Sequence, residues 1–256
     1  MATLADTPPH TAAGEHRFFL IATWLLAILT VGGFALNAAA GRSSFNVPLV
    51  YHLHAVVFMG FIGLYTVQAT LAAKGNTALH MRLGQISAIY IPLMLALGTW
   101  LTFETLRVLG GPPFFSQSEF LVVNLFHLAA FGVLAFAALR MRRQPDWHKR
   151  LMFGAMVTVS IPGLARLLPL PFVVPFVFPV IFGVAALFIL AGMIMDKRVH
   201  GSVHKAWWWA LIGPIAAMGV GEVIGATGYA KTWVAGHVAG TPGGERSPDP
   251  FMPPGM

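Results

Sequence analysis

Two apolar runs in this chain each carry a histidine, and each is followed by a second histidine with a basic neighbour. The first run is Leu49-Val50-Tyr51-His52-Leu53-His54-Ala55-Val56-Val57-Phe58, and His80-Met81-Arg82-Leu83 follows it. The second is Val122-Val123-Asn124-Leu125-Phe126-His127-Leu128-Ala129-Ala130-Phe131, followed by His148-Lys149-Arg150-Leu151. An imidazole can ligate a metal, relay a proton or change charge near neutral pH. Inside or beside a membrane-length apolar segment it is costly, which makes it a candidate for function. The same order of residues occurring twice points to an internal duplication.

The elements that must position these residues are membrane helices. Of 256 residues, 57% are hydrophobic and only 10% charged. Apolar runs near the roughly 20 residues that a spanning helix needs recur along the chain. They do not alternate in polarity as barrel strands do. The chain therefore reads as an all-α integral membrane protein with seven spans, at about 18–39, 49–72, 83–107, 119–139, 151–168, 173–195 and 206–229. Spans two to five are expected to be a duplicated two-helix unit forming a four-helix core. Pro162 interrupts the fifth span, while Pro175 and Pro179 in the sixth and Pro214 in the seventh should bend theirs.

Basic residues set the expected orientation. Connections 2–3, 4–5 and 6–7 hold Lys74, Arg82, Arg140, Arg142, Arg143, Lys149, Arg150, Lys197, Arg198 and Lys205; with Arg17 these are 11 of the 16 Lys and Arg. The positive-inside rule then places the N-terminus in the cytoplasm and the C-terminus outside, in a bacterial inner membrane. The net charge of +7 follows from that orientation and from contact with the lipid bilayer, and calls for no nucleic acid. Zero cysteines exclude disulfides and thiolate chemistry. The first helix reads as an uncleaved span, longer than the apolar part of a usual signal peptide. Residues 1–16 read as a cytoplasmic tail and 17–230 as the membrane domain. Residues 231–256, rich in Gly and Pro, read as a disordered outer tail.

On this topology His54 and His127 form an outer pair and His80 and His148 an inner pair. Two histidines from facing helices can bind a haem iron axially or begin a metal site. This order and sidedness resembles the ascorbate-reducible di-haem cytochrome b family, over roughly residues 48–168. The resemblance implies haem b held by His54 with His127 and by His80 with His148, and electrons passed across the membrane to a redox partner. His148-Lys149-Arg150-Leu151-Met152 is also similar to the helix start of an uncharacterised family of bacterial seven-helix multi-pass proteins. A second reading stays open for His80 and His148. Because His204-Lys205 opens the seventh span in the same way, such residues also serve as polar helix starts at the interface.

Glu222, Glu104 and Arg166 fall near the outer ends of their spans. With His54 and His127 they could form a polar cluster supporting a cofactor, and a Glu222–Arg166 ion pair is the plainer reading. The sequence shows no His-Glu-x-x-His zinc helix, no Gly-x-Ser-x-Gly elbow and no phosphate loop. Besides a haem protein in electron transfer, it fits a non-catalytic accessory subunit of a larger membrane complex. It also fits a metal-dependent membrane enzyme or small-solute transporter, so whether it is an enzyme stays open.

Overall fold

The computed structural model describes residues 9–173 and 176–251. They are helical throughout, in the order α1 (Pro9–Ala39), α2 (Leu49–Ala73), α3 (Thr77–Gly84), α4 (Ser87–Leu109), α5 (Gln117–Arg140), α6 (Pro145–Ala165), α7 (Val177–His200), α8 (Lys205–Gly225) and α9 (Gly228–Val238). Short 3-10 turns occupy Leu170–Val173 and Pro242–Glu245. Six of the helices, α1, α2, α4, α5, α7 and α8, are long and apolar enough to cross a membrane. The chain is thus an all-α protein of multi-pass membrane type. Pro175 lies outside the described residues.

The packing centre differs from the expected four-helix core. It is α6, enclosed by α1, α5, α7 and α8. From Phe153 to Thr158 every residue of α6 is buried, as in a helix surrounded on all sides. By contrast α2 and α4 lean on the flank, joined where the Tyr90 hydroxyl donates to the Val57 carbonyl at 2.9 Å. The physical reason is the distribution of small residues, since helices in lipid approach closely where side chains are short. A Cβ added at Gly154 would lie 2.6 Å from the Ala210 Cβ of α8, and one at Gly163 would lie 2.9 Å from the Thr30 Cα of α1. At Gly221 and Gly225 of α8 it would meet the α5 backbone at Val123 and Glu119, at 2.9 and 2.8 Å.

Two expected boundaries also shift. His80 lies on α3, a short helix of its own that Asn76 caps by accepting from the Leu79 amide at 3.2 Å. Gly75, with φ +72°, turns the chain between α2 and α3. The seventh span ends at Gly225, because Thr227 caps a new helix, α9.

The tails are corrected more fully. The helix α1 begins at Pro9 within the expected N-terminal tail, and Glu15 is buried. Residues 231–251 were expected to be disordered, yet they form part of α9, the Pro242–Glu245 turn and a strap fastened to the α4–α5 connection. Arg246 donates to the carbonyls of Gly111 and Phe115, and Gln117 donates its side-chain amide to the Gly243 carbonyl at 2.8 Å. Pro lowers the entropy a tail can lose and Gly lets backbones approach, so composition alone did not exclude this packing. Residues 1–8 and 252–256 lie outside the described residues.

Candidate functional site

The inner pair is brought together. His80 on α3 and His148 on α6 have ring centroids 6.2 Å apart with planes at 85°. Each ring is fixed by the same device. His80 Nδ1 lies 3.3 Å from the Gln68 carbonyl near the end of α2, and His148 Nδ1 lies 2.9 Å from the Ala138 carbonyl near the end of α5. A carbonyl only accepts, so Nδ1 carries a proton in both, and in the neutral ring Nε2 is the nitrogen with the lone pair. Histidine ligands of metals are usually oriented in this way, through the nitrogen that does not bind. Gln68 adds a second sign: its side chain is buried, and its Oε1 has no partner among the described residues.

The outer pair is not joined. No hydrogen bond or ring contact between His54 and His127 occurs among the described residues. His54 stacks on Phe58, with centroids 3.9 Å apart, and its Nδ1 is buried without a partner. His127 is buried in α5 and places Nε2 2.7 Å from the Thr158 carbonyl of α6. That carbonyl needs a donor because its usual partner four residues on is Pro162, which has no N–H. His127 therefore repairs the helix ladder that Pro162 interrupts.

The expected outer polar cluster is also dispersed. The Arg166 guanidinium lies 4.1 Å from the Phe34 ring centroid and donates to the Pro162 carbonyl. Glu104 pairs at 4.0 Å with Arg107, one turn on. Glu222 lines a cavity with Glu119 and Lys231. A Glu222–Arg166 ion pair is absent among the described residues.

The sequence reading missed the largest polar cluster, which surrounds Arg150. This guanidinium is 2% exposed on its side chain and reaches Asp196 of α7 at 2.5 Å and Glu15 of α1 at 2.8 Å. Lys149 pairs with Glu15 and with Asp146, both at 2.7 Å, and His200 Nε2 lies 3.4 Å from Glu15. Asp196 also accepts from the His204 amide at 3.0 Å. Donor atoms of Glu15, Asp196 and His200 lie within 4.8 Å of one another, a spacing that suits a cation. Arg150 already fills that role, so the cluster is a clamp between α1, α6, α7 and the start of α8. The available signal was an acid, Asp196, near the end of an apolar helix among basic residues.

The three tryptophans opening α8 divide by helical phase. Trp207 is buried and stacks on Phe19 at 5.9 Å, whereas Trp208 and Trp209 are exposed. Comparison with known protein families, curated proteins and solved structures finds no match.

Proposed function

We propose that this chain is a multi-pass membrane redox protein holding one metal centre, a haem iron, between His80 and His148. The observation that carries the reading is their 6.2 Å ring separation with both Nδ1 atoms tied to backbone carbonyls. His80 and His148 would hold the iron through their Nε2 atoms, which are left for a metal when Nδ1 is tied to the backbone. The unpartnered Oε1 of Gln68 is suited to a donor from a bound group, and Lys74, Arg82, Arg140, Arg142 and Arg143 near this end suit its propionates. Bound iron would supply one-electron chemistry; the protein's part is to orient two imidazoles and limit water around them. His54 and His127 are left out of the ligand set, because among the described residues their rings are not brought into contact with each other.

In this reading α6 is a seventh span, shielded from lipid by its neighbours, which lets its first turns carry Asp146, His148, Lys149 and Arg150. Spans two to five, α2 with α3–α4 and α5 with α6, are the duplicated unit, supported by the matching histidine–carbonyl bonds of His80 and His148. The basic residues around the inner site support a location on the cytoplasmic side of a bacterial inner membrane.

The test is spectroscopic. Protein expressed with haem supplied in a competent host should show a Soret band that shifts on dithionite reduction. His80→Ala and His148→Ala should each abolish it, and His127→Ala should leave it in place. Absence of a Soret band together with no stoichiometric metal by elemental analysis overturns the proposal. So does a band that survives both inner substitutions.

A further inference from the structure

At the opposite end of the bundle is a cavity of about 210 Å³ that the histidine chemistry does not use. Its walls come from the α4–α5 connection (Phe114, Phe115), α5 (Glu119), α7 (Phe178), α8 (Glu222) and α9 (Lys231), with Asp249 and Pro250 of the C-terminal strap at its edge. We propose that it binds a small organic ammonium ion with an apolar body.

The site is built by the same close packing that joins α8 to α5. Close approach at Gly221 and Gly225 sets α8 against α5, which puts Glu222 and Glu119 on one wall. Glu119 is held in place by Ser116, whose hydroxyl donates to its Oε2 at 2.6 Å and accepts from its amide at 3.2 Å. The strap is pinned on both sides of Asp249 and Pro250. The Gln117 amide donates to the Pro248 carbonyl at 2.9 Å, and the Phe251 amide donates to the Pro113 carbonyl at 2.9 Å. One face is aromatic, where Phe115 and Phe178 stack with centroids 4.3 Å apart.

The charges select the ligand. Glu119, Glu222 and Asp249 oppose a single Lys231, and none of the four forms an ion pair within 4.0 Å among the described residues. The cavity therefore sets three carboxyl groups against one amine. An ammonium group answers that excess, and an apolar body answers the phenylalanine wall, whose ring faces also attract cations. An anion is repelled, and a fully hydrated inorganic cation gains little from the aromatic side. The volume lies below the roughly 300 Å³ at which drug-sized pockets begin, so the ligand is small.

Isothermal titration calorimetry on the full chain in detergent tests this with phenethylamine, phenylacetate and calcium as probes. Saturable binding of phenethylamine is expected, with none for phenylacetate. Glu222→Gln should weaken it at least tenfold, and Lys231→Gln should strengthen it by removing a like charge. Circular dichroism and gel filtration confirm that each variant folds. The proposal is overturned if phenethylamine does not bind, if it binds equally to the Glu222→Gln protein, or if calcium binds and competes it away. None of these outcomes depends on the inner histidine pair.

Discussion

The two helix starts His80-Met81-Arg82-Leu83 and His148-Lys149-Arg150-Leu151 share a local pattern but meet different surroundings. Their histidines do the same thing, each donating Nδ1–H to a carbonyl near the end of the preceding helix. Their arginines do not. Arg82 is exposed on α3, a helix with no buried residue, while Arg150 is buried among three carboxylates from α1, α6 and α7. A shared motif therefore contains a shared part, the histidine, and a part whose meaning is set by distant chain segments. The first copy lies at the edge of the bundle and the second at its centre.

Replacing the arginines separates these parts most strongly. Arg150→Met should destabilise the protein by about 3–5 kcal/mol, because Asp196 and Glu15 would stay buried without their counter-charge. Arg82→Met should change stability by less than about 0.5 kcal/mol, as expected of an exposed side chain outside any network. Reversible unfolding in mixed micelles measures both. Similar costs would remove the distinction between the two copies.

The comparison also marks how far the sequence could be read. Helical spans follow from apolar length, and the adjacency of His80 and His148 follows from order and sidedness, since both begin helices at the same end. The Arg150 clamp does not follow, because Glu15 is 135 residues away and stands in a segment whose composition suggests a tail. The centre of the bundle was equally hidden. Pro162 makes α6 look like the weaker span, although every residue from Phe153 to Thr158 is buried. At the outer end, Gly and Pro in residues 240–251 suggest disorder, but the strap is held by backbone hydrogen bonds and by the side chains of Arg246 and Gln117.

The deeper histidines extend the contrast at a smaller scale. His127→Phe should cost about 1–3 kcal/mol by leaving the Thr158 carbonyl without a donor in a buried site. His54→Phe should be close to neutral, because it removes a buried Nδ1 that has no partner. Pro162→Ala should reduce the cost of His127→Phe, since an amide at position 162 can then serve Thr158. A double-mutant cycle in the same micelles should give a coupling of about 0.5–3 kcal/mol. Strict additivity would mean that His127 is buried for some reason other than the proline.

The smallest expected effect uses the third helix start. His204 precedes α8 as His80 and His148 mark their own helix starts, but its hydrogen bond runs the other way: Nδ1 accepts from the Ala206 amide at 3.1 Å. It therefore requires the tautomer in which Nδ1 is bare, and protonation breaks the cap. Burial holds the His204 pKa below its ordinary value, and Arg150 and Lys149 push in the same direction against Asp146 and Asp196. A lowered histidine pKa means that the folded state binds the proton less well than the unfolded chain does. The cap's contribution is thus complete above the unfolded value of about 6.5 and is lost as pH falls from there through the folded value. His204→Asn should keep a capping group while removing the titration, whereas His204→Ala should cost about 0.5–2 kcal/mol. Comparing the stability of wild type with His204→Asn between pH 7.5 and 5 isolates this residue, because the other ionisable groups are common to both. A difference that stays constant across that range would show that His204 does not act as an accepting cap. A difference that grows in favour of His204→Asn as pH falls would separate the third helix start from the two whose Nδ1–H bonds survive protonation.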